Sequence, residues 1–76
     1  MDEKFIGIVT GILNINPELL NENSTADTIP EWDSLSHWAV IGELEDVYGV
    51  EFTIDEATGF KNLADIYNTL MKKLSK

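Results

Sequence analysis

Asp33-Ser34-Leu35-Ser36-His37-Trp38-Ala39-Val40-Ile41-Gly42-Glu43-Leu44-Glu45-Asp46-Val47-Tyr48-Gly49 decides how this chain is read. Asp33 is a favoured helix N-cap type and Gly49 a favoured terminator, so the residues between them read as one helix. On a wheel of about 100° per residue, His37, Val40, Ile41, Leu44 and Tyr48 share one face, with Val47 beside them. Leu35, Trp38 and Gly42 share the opposite face at i, i+3, i+7, and Glu43, Glu45 and Asp46 surround it. The first face is a core stripe. The second is either packed under the preceding loop, with Trp38 against Trp32, or a docking surface with an apolar centre and an acidic rim. Gly42 would then let a partner approach the backbone closely.

Outward from this helix, the rest of the chain also reads as helical. Upstream, Phe5, Ile8, Val9 and Ile12 recur at i, i+3, i+4, i+7 and predict a helix from about Glu3 to Leu13. Gly7 and Gly11 each weaken it by about 1 kcal/mol relative to Ala, so tertiary packing must hold it. Asn16-Pro17 reads as a cap with a first-turn proline, opening a short turn through Leu20. Residues 21–32 have the polar composition of a long loop. Downstream, Val50-Glu51-Phe52-Thr53-Ile54 alternates like a strand, but a lone strand has no partner and is read as an extended connection. Thr53 with Glu56 fits a capping box for a short helix ending near Gly59. Asn62 can cap the last helix, where Leu63, Ile66, Tyr67, Leu70 and Leu74 form one stripe and Lys72 and Lys73 suit the C-terminal end. The expected fold is all-α, a four-helix bundle of three long helices and one short one, in a single domain over residues 1–76.

Composition narrows the function. Seventy-six residues make a small domain, and such a core rarely supplies more than roughly 3–5 kcal/mol. That size favours a carrier, adaptor or binding module over an enzyme. Fourteen acidic and five basic side chains give a net charge of −9, which repels nucleic acid and anionic membranes and attracts basic protein patches. The absence of cysteine excludes a disulfide framework and thiolate metal sites. No segment has the length of a membrane span, and the acidic Met1-Asp2-Glu3 start is unlike a signal peptide, so the expected location is the cytoplasm. The acidic residues lack EF-hand spacing, so no metal site is expected.

Ser34 stands at the first position of the long helix, where unpaired N–H groups and the helix dipole favour an attached phosphate. An ordinary serine of a capping region has the same placement. His37, the one histidine, lies a turn further along on the inner stripe. It reads as a half-buried, hydrogen-bonded side chain at the open end of the bundle and not as a base for Ser34, because the two side chains point apart.

Asp33-Ser34-Leu35 resembles the attachment motif of the bacterial acyl carrier proteins. The resemblance continues through Leu44-Glu45-Asp46-Val47-Tyr48-Gly49-Val50-Glu51-Phe52, then Asp55-Glu56-Ala57 and Asn62-Leu63-Ala64-Asp65-Ile66, without a gap from Asp33 to about Leu70. The first helix and long loop match in type only. The resemblance implies a four-helix acyl carrier fold with 4′-phosphopantetheine attached covalently to Ser34. It implies that Asp33 assists the modifying phosphopantetheinyl transferase, and that Leu35 and the helix it opens dock partner enzymes. The docking candidates are Leu35, Trp38, Gly42, Glu43, Glu45 and Asp46. The implied acyl-pocket lining is His37, Val40, Ile41, Leu44 and Ile66. The implied partners are acyl ligases, acyltransferases or ketosynthases with basic patches, met by a monomeric carrier that is not itself an enzyme.

The sequence also departs from fatty acid synthesis members. Glu31 and Trp32 replace the usual Gly and small residue before the Asp, Ala39 stands where Glu is common, and Gly42 where Met is common. Trp32-Asp33-Ser34-Leu35-Ser36-His37 looks more like discrete carriers of specialised pathways. Peptidyl carriers are more distant, since their Gly-Gly-His or Gly-Gly-Asp is absent. A reading from another class is a small acidic interaction domain, an adaptor or inhibitor, that uses Trp38 and its rim without modification.

Overall fold

The computed structural model describes residues 2–75; Met1 and Lys76, the ends of the expected domain, lie outside the described residues. Four α-helices follow in order: α1 (Glu3–Leu13), α2 (Ser34–Tyr48), α3 (Ile54–Gly59) and α4 (Leu63–Leu74). A single 3-10 turn, Pro17–Leu19, lies in the first connection. Among the described residues there is no strand, and Val50–Thr53 is the extended link that its isolation implies. No described helix is long and apolar enough to cross a membrane.

The helix ends follow the expected chemistry. Asp2 caps α1, its carboxylate accepting from Phe5 N–H at 2.8 Å. Asn16 caps the 3-10 turn through Glu18 N–H. Thr53 and Glu56 form the reciprocal capping box of α3, each side chain accepting from the other's backbone N–H. Asn62 caps α4 by accepting from Asp65 N–H. Gly49 closes α2 in the left-handed region, φ 68°, where a Cβ would be strained. Asn14 does the same for α1 at φ 57°, using the tolerance of asparagine for that region.

The core joins Phe5, Val9 and Leu13 of α1, Val40 and Leu44 of α2, and Leu63, Ile66 and Leu70 of α4. The α1 stripe is turned slightly from the one expected. Its centre runs along the i, i+4 row Phe5–Val9–Leu13, while Ile8 and Ile12 are half-buried flanks. Thr10 is also buried, its hydroxyl satisfied by donating to the Ile6 carbonyl at 2.8 Å. Val47, expected beside the core, is 38% exposed. The buried stripe of α2 is Val40, Ile41 and Leu44, and Val47 lies outside it.

The long loop is part of this core. Ile29 and Trp32 are both buried in it. The loop is fastened to α4, whose first two N–H groups donate outward: Leu63 to the Ser24 carbonyl at 2.9 Å and Ala64 to the Glu22 carbonyl at 3.1 Å. Those are donors a helix start leaves unpaired, and the loop satisfies them. On the other side, Lys73 of α4 reaches Glu56 of α3 at 2.9 Å and lies over the Phe52 ring. The short α3 is thus tied to α4 as well as to α2.

Candidate functional site

The site is built where the loop meets the start of α2. Asp33, in extended conformation, caps the helix by accepting from Ser36 N–H at 2.8 Å. That cap makes Ser34 the first helical residue, and Ser34 is exposed. Its hydroxyl therefore lies at the positive end of a fifteen-residue helix.

Beside it opens a cavity of about 590 Å³. One wall is the loop at Thr25–Asp27 with Trp32, the second is Ser34, His37 and Trp38 of α2, and the third is Ala57 and Thr58 of α3 with Phe60–Asn62. The inner wall is held by a chain of polar contacts. Trp32 Nε1–H donates to His37 Nδ1 at 3.2 Å, and His37 Nε2 is 2.7 Å from the Ala57 carbonyl. An indole nitrogen only donates, so Nδ1 must accept; the imidazole proton is assigned to Nε2, which donates to Ala57. The Trp32 and His37 rings stack with centroids 6.1 Å apart, and Trp38 meets His37 edge-on at 5.9 Å. His37 thus bolts α2 to α3 and Trp32 bolts the loop to His37. Leaving such a partly buried donor or acceptor unpaired costs roughly 1–3 kcal/mol.

The expected site residues divide accordingly. Asp33, Ser34, His37 and Trp38 meet at the cavity. Val40, Ile41, Leu44 and Ile66, expected to line an acyl pocket, are buried in the interior and do not form its wall. Leu35 is 84% exposed and Trp38 48% exposed, so Trp38 is not packed under the loop against Trp32; Trp32 turns inward and stacks on His37 instead. Gly42 faces open space, with nothing within 4 Å of where a Cβ would stand. Glu43 and Asp46 are exposed beside this face.

Glu45 is different from its two acidic neighbours. It is half-buried, and its carboxylate accepts from Phe52 N–H at 2.8 Å. The expectation that it is a freely solvated rim charge is corrected: it ties the end of α2 to the extended link, a backbone donor that would otherwise be unpaired.

Sequence reasoning missed Trp32 as a wall of the site, the Ala57 carbonyl as partner of His37, and Lys61 at the cavity's edge. Trp32 had a signal, since a bulky aromatic directly before a helix cap rarely stays in water. The carbonyl and Lys61 had none, because their placement depends on how α3 packs. Ile54, 74% exposed at the start of α3, is a further apolar surface residue outside the expected set.

The cap gives Asp33 a pH signature. The hydrogen bond from Ser36 N–H holds its carboxyl below the ordinary value of 3.8. A carboxyl lowered in the folded state stabilises the fold fully above its ordinary value, and that contribution is lost as pH falls through the lowered one. Asn caps as well as Asp but does not titrate. The Asp33→Asn variant should therefore fall slightly short of the wild type at neutral pH, with the gap closing below about pH 4. Urea melts at both pH values check this; a gap independent of pH would refute it.

Compared with protein-family models and with curated proteins, the chain matches none.

Proposed function

We propose that the protein is an acyl carrier that holds acyl intermediates as thioesters on a 4′-phosphopantetheine arm at Ser34. The observation that carries this reading is the exposed Ser34 hydroxyl at the positive start of α2, at the lip of the cavity. It joins the sequence resemblance from Asp33 to about Leu70. The residues present fit the group. A phosphate on Ser34 would meet the N-terminal end of the helix, and the arm would leave from the lip of the cavity. When bound, the arm supplies the thiol that forms the thioester.

Attachment is a phosphoryl transfer from coenzyme A. The Ser34 hydroxyl oxygen bonds to the β-phosphorus, the phosphoanhydride bond breaks, adenosine 3′,5′-bisphosphate leaves, and the serine proton passes to the transferase. Asp33 holds the first turn of α2 so that Ser34 stands at its first position with the hydroxyl exposed. Leu35, Trp38 and the open face at Gly42 form an apolar docking centre, and Glu43 and Asp46 form its rim. The carrier acts as a monomer in the cytoplasm, with partners that present basic patches, in a specialised pathway more than in bulk fatty acid synthesis. Intact mass measurement after incubation with coenzyme A and a broad-specificity transferase tests the reading directly.

The rim makes its own prediction. The paired change Glu43→Lys and Asp46→Lys should lower the transferase's kcat/KM about tenfold at low salt, with the deficit shrinking as salt screens exposed charge. Glu45 is left intact in this test because it also holds Phe52 N–H. A deficit that is absent at low salt, or that does not change with salt, would remove the acidic rim from the docking account.

A further inference from the structure

The cavity at Ser34 and the interior of the bundle are separate spaces, and Trp32 and His37 stand between them. Val40, Leu44, Leu63 and Ile66 are fully buried against one another. Trp32, 5% exposed, belongs both to that core and to the cavity wall. His37 stands beside it, fixed at both ring nitrogens by Trp32 and the Ala57 carbonyl. A chain passing inward from Ser34 between α2 and α3 would have to break both hydrogen bonds and then displace packed side chains. The cavity itself has a mixed lining. Trp38, Ala57 and Phe60 offer apolar surface, but Asp27, Lys61 and Asn62 stand around them. A long aliphatic chain laid there would desolvate charged and polar groups without pairing them.

We infer that the group carried is a short acyl chain, held in the surface cavity against Trp38, Ala57 and Thr58 and barred from the helical core by the Trp32–His37–Ala57 chain of hydrogen bonds. The inference rests on the carrier reading and names its cargo. The partition acts as a length filter: an acyl group of a few carbons is sheltered beside Ser34, and each further carbon projects past the cavity toward solvent or a partner enzyme.

The experiment uses the full chain loaded by a transferase with acetyl-, butyryl-, octanoyl- and dodecanoyl-coenzyme A, each product verified by intact mass. Two quantities are read, the rate of thioester cleavage by hydroxylamine and the backbone and methyl NMR shifts. Measured against the chain bearing the unacylated arm, acetyl and butyryl groups should move the signals of Trp38, Ala57 and Thr58, and the absence of any such shift overturns the inference. From butyryl to dodecanoyl the cleavage rate should change less than about twofold, and the methyl signals of Val40, Leu63 and Ile66 should stay in place. A loaded chain whose cleavage slows tenfold or more along the series, about 1.4 kcal/mol of added shelter, or whose core methyls shift with length, overturns the inference and leaves the carrier reading standing. A chain that accepts no arm from any transferase overturns both.

Discussion

Ser34→Ala should abolish the mass gain of one phosphopantetheinyl group, with no measurable residual modification, while leaving the fold intact. The separation of the two effects follows from the local structure. The cap of α2 is the Asp33 carboxylate on Ser36 N–H, and nothing among the described residues hydrogen-bonds to the Ser34 hydroxyl. Removing that hydroxyl from an exposed first-turn position changes stability by no more than about 0.5 kcal/mol. The other serines offer no substitute. Ser24 is buried, and its hydroxyl oxygen accepts from Asn21 N–H. Ser36 is half-buried inside the first turn. Ser75 donates to the Lys72 carbonyl at the opposite, negative end of a helix, where a phosphate is disfavoured. Mass gain surviving in Ser34→Ala would sink the assignment of the arm to this residue. A wild-type chain left unmodified by several transferases would favour the acidic interaction domain, whose partner would grip Leu35 and Trp38 with no covalent step.

Helix ends and faces were legible in the sequence because they depend on residues within a turn or two of each other. Asp33, Thr53, Asn62 and Gly49 each act on backbone groups no more than four positions away, and capping chemistry is local. The half-buried, hydrogen-bonded state of His37 was legible for a similar reason, since its place on the inner stripe followed from periodicity; its two partners, Trp32 and the Ala57 carbonyl, were not. The cavity was not. It depends on how α3 meets α2, and α3 is six residues held from other elements by the His37 imidazole on its Ala57 carbonyl and the Lys73 ammonium on its Glu56 carboxylate. Glu45 was misread because a wheel shows only which way a side chain leaves its own helix. It cannot show that the link after Gly49 doubles back and offers Phe52 N–H to it. The loop was misread in the same way. Its polar composition hid Ile29 and Trp32, a pair three residues apart whose inward turn is set by the loop's own hydrogen bond from Trp32 N–H to the Ile29 carbonyl at 3.0 Å.

That loop carries the largest stability prediction. Trp32→Ala should destabilise the protein by about 3–5 kcal/mol, which is comparable with all the stability a core of this size supplies. The variant should be largely unfolded at 25 °C, or have a urea midpoint far below that of the wild type. The indole is 5% exposed and belongs to one buried cluster with Val40, Leu44 and Leu63, so truncation leaves a void that the close-packed neighbours fill only in part. It also removes the donor to His37, freeing the ring that joins α2 to α3. Trp32→Phe separates these causes. It keeps a buried six-membered ring and deletes the N–H together with the rest of the second ring, so its cost should be about 1–3 kcal/mol, below that of Trp32→Ala. The tautomer should report the difference: with no donor at Nδ1, the His37 proton is no longer confined to Nε2, and the nitrogen-15 shifts of the ring should move toward a mixed population. Circular dichroism melts of both variants and an imidazole NMR spectrum of Trp32→Phe decide the matter. If Trp32→Ala costs less than about 1 kcal/mol, the loop is a cover laid over the bundle and not one of its walls, and the partition between the Ser34 cavity and the core loses its main support.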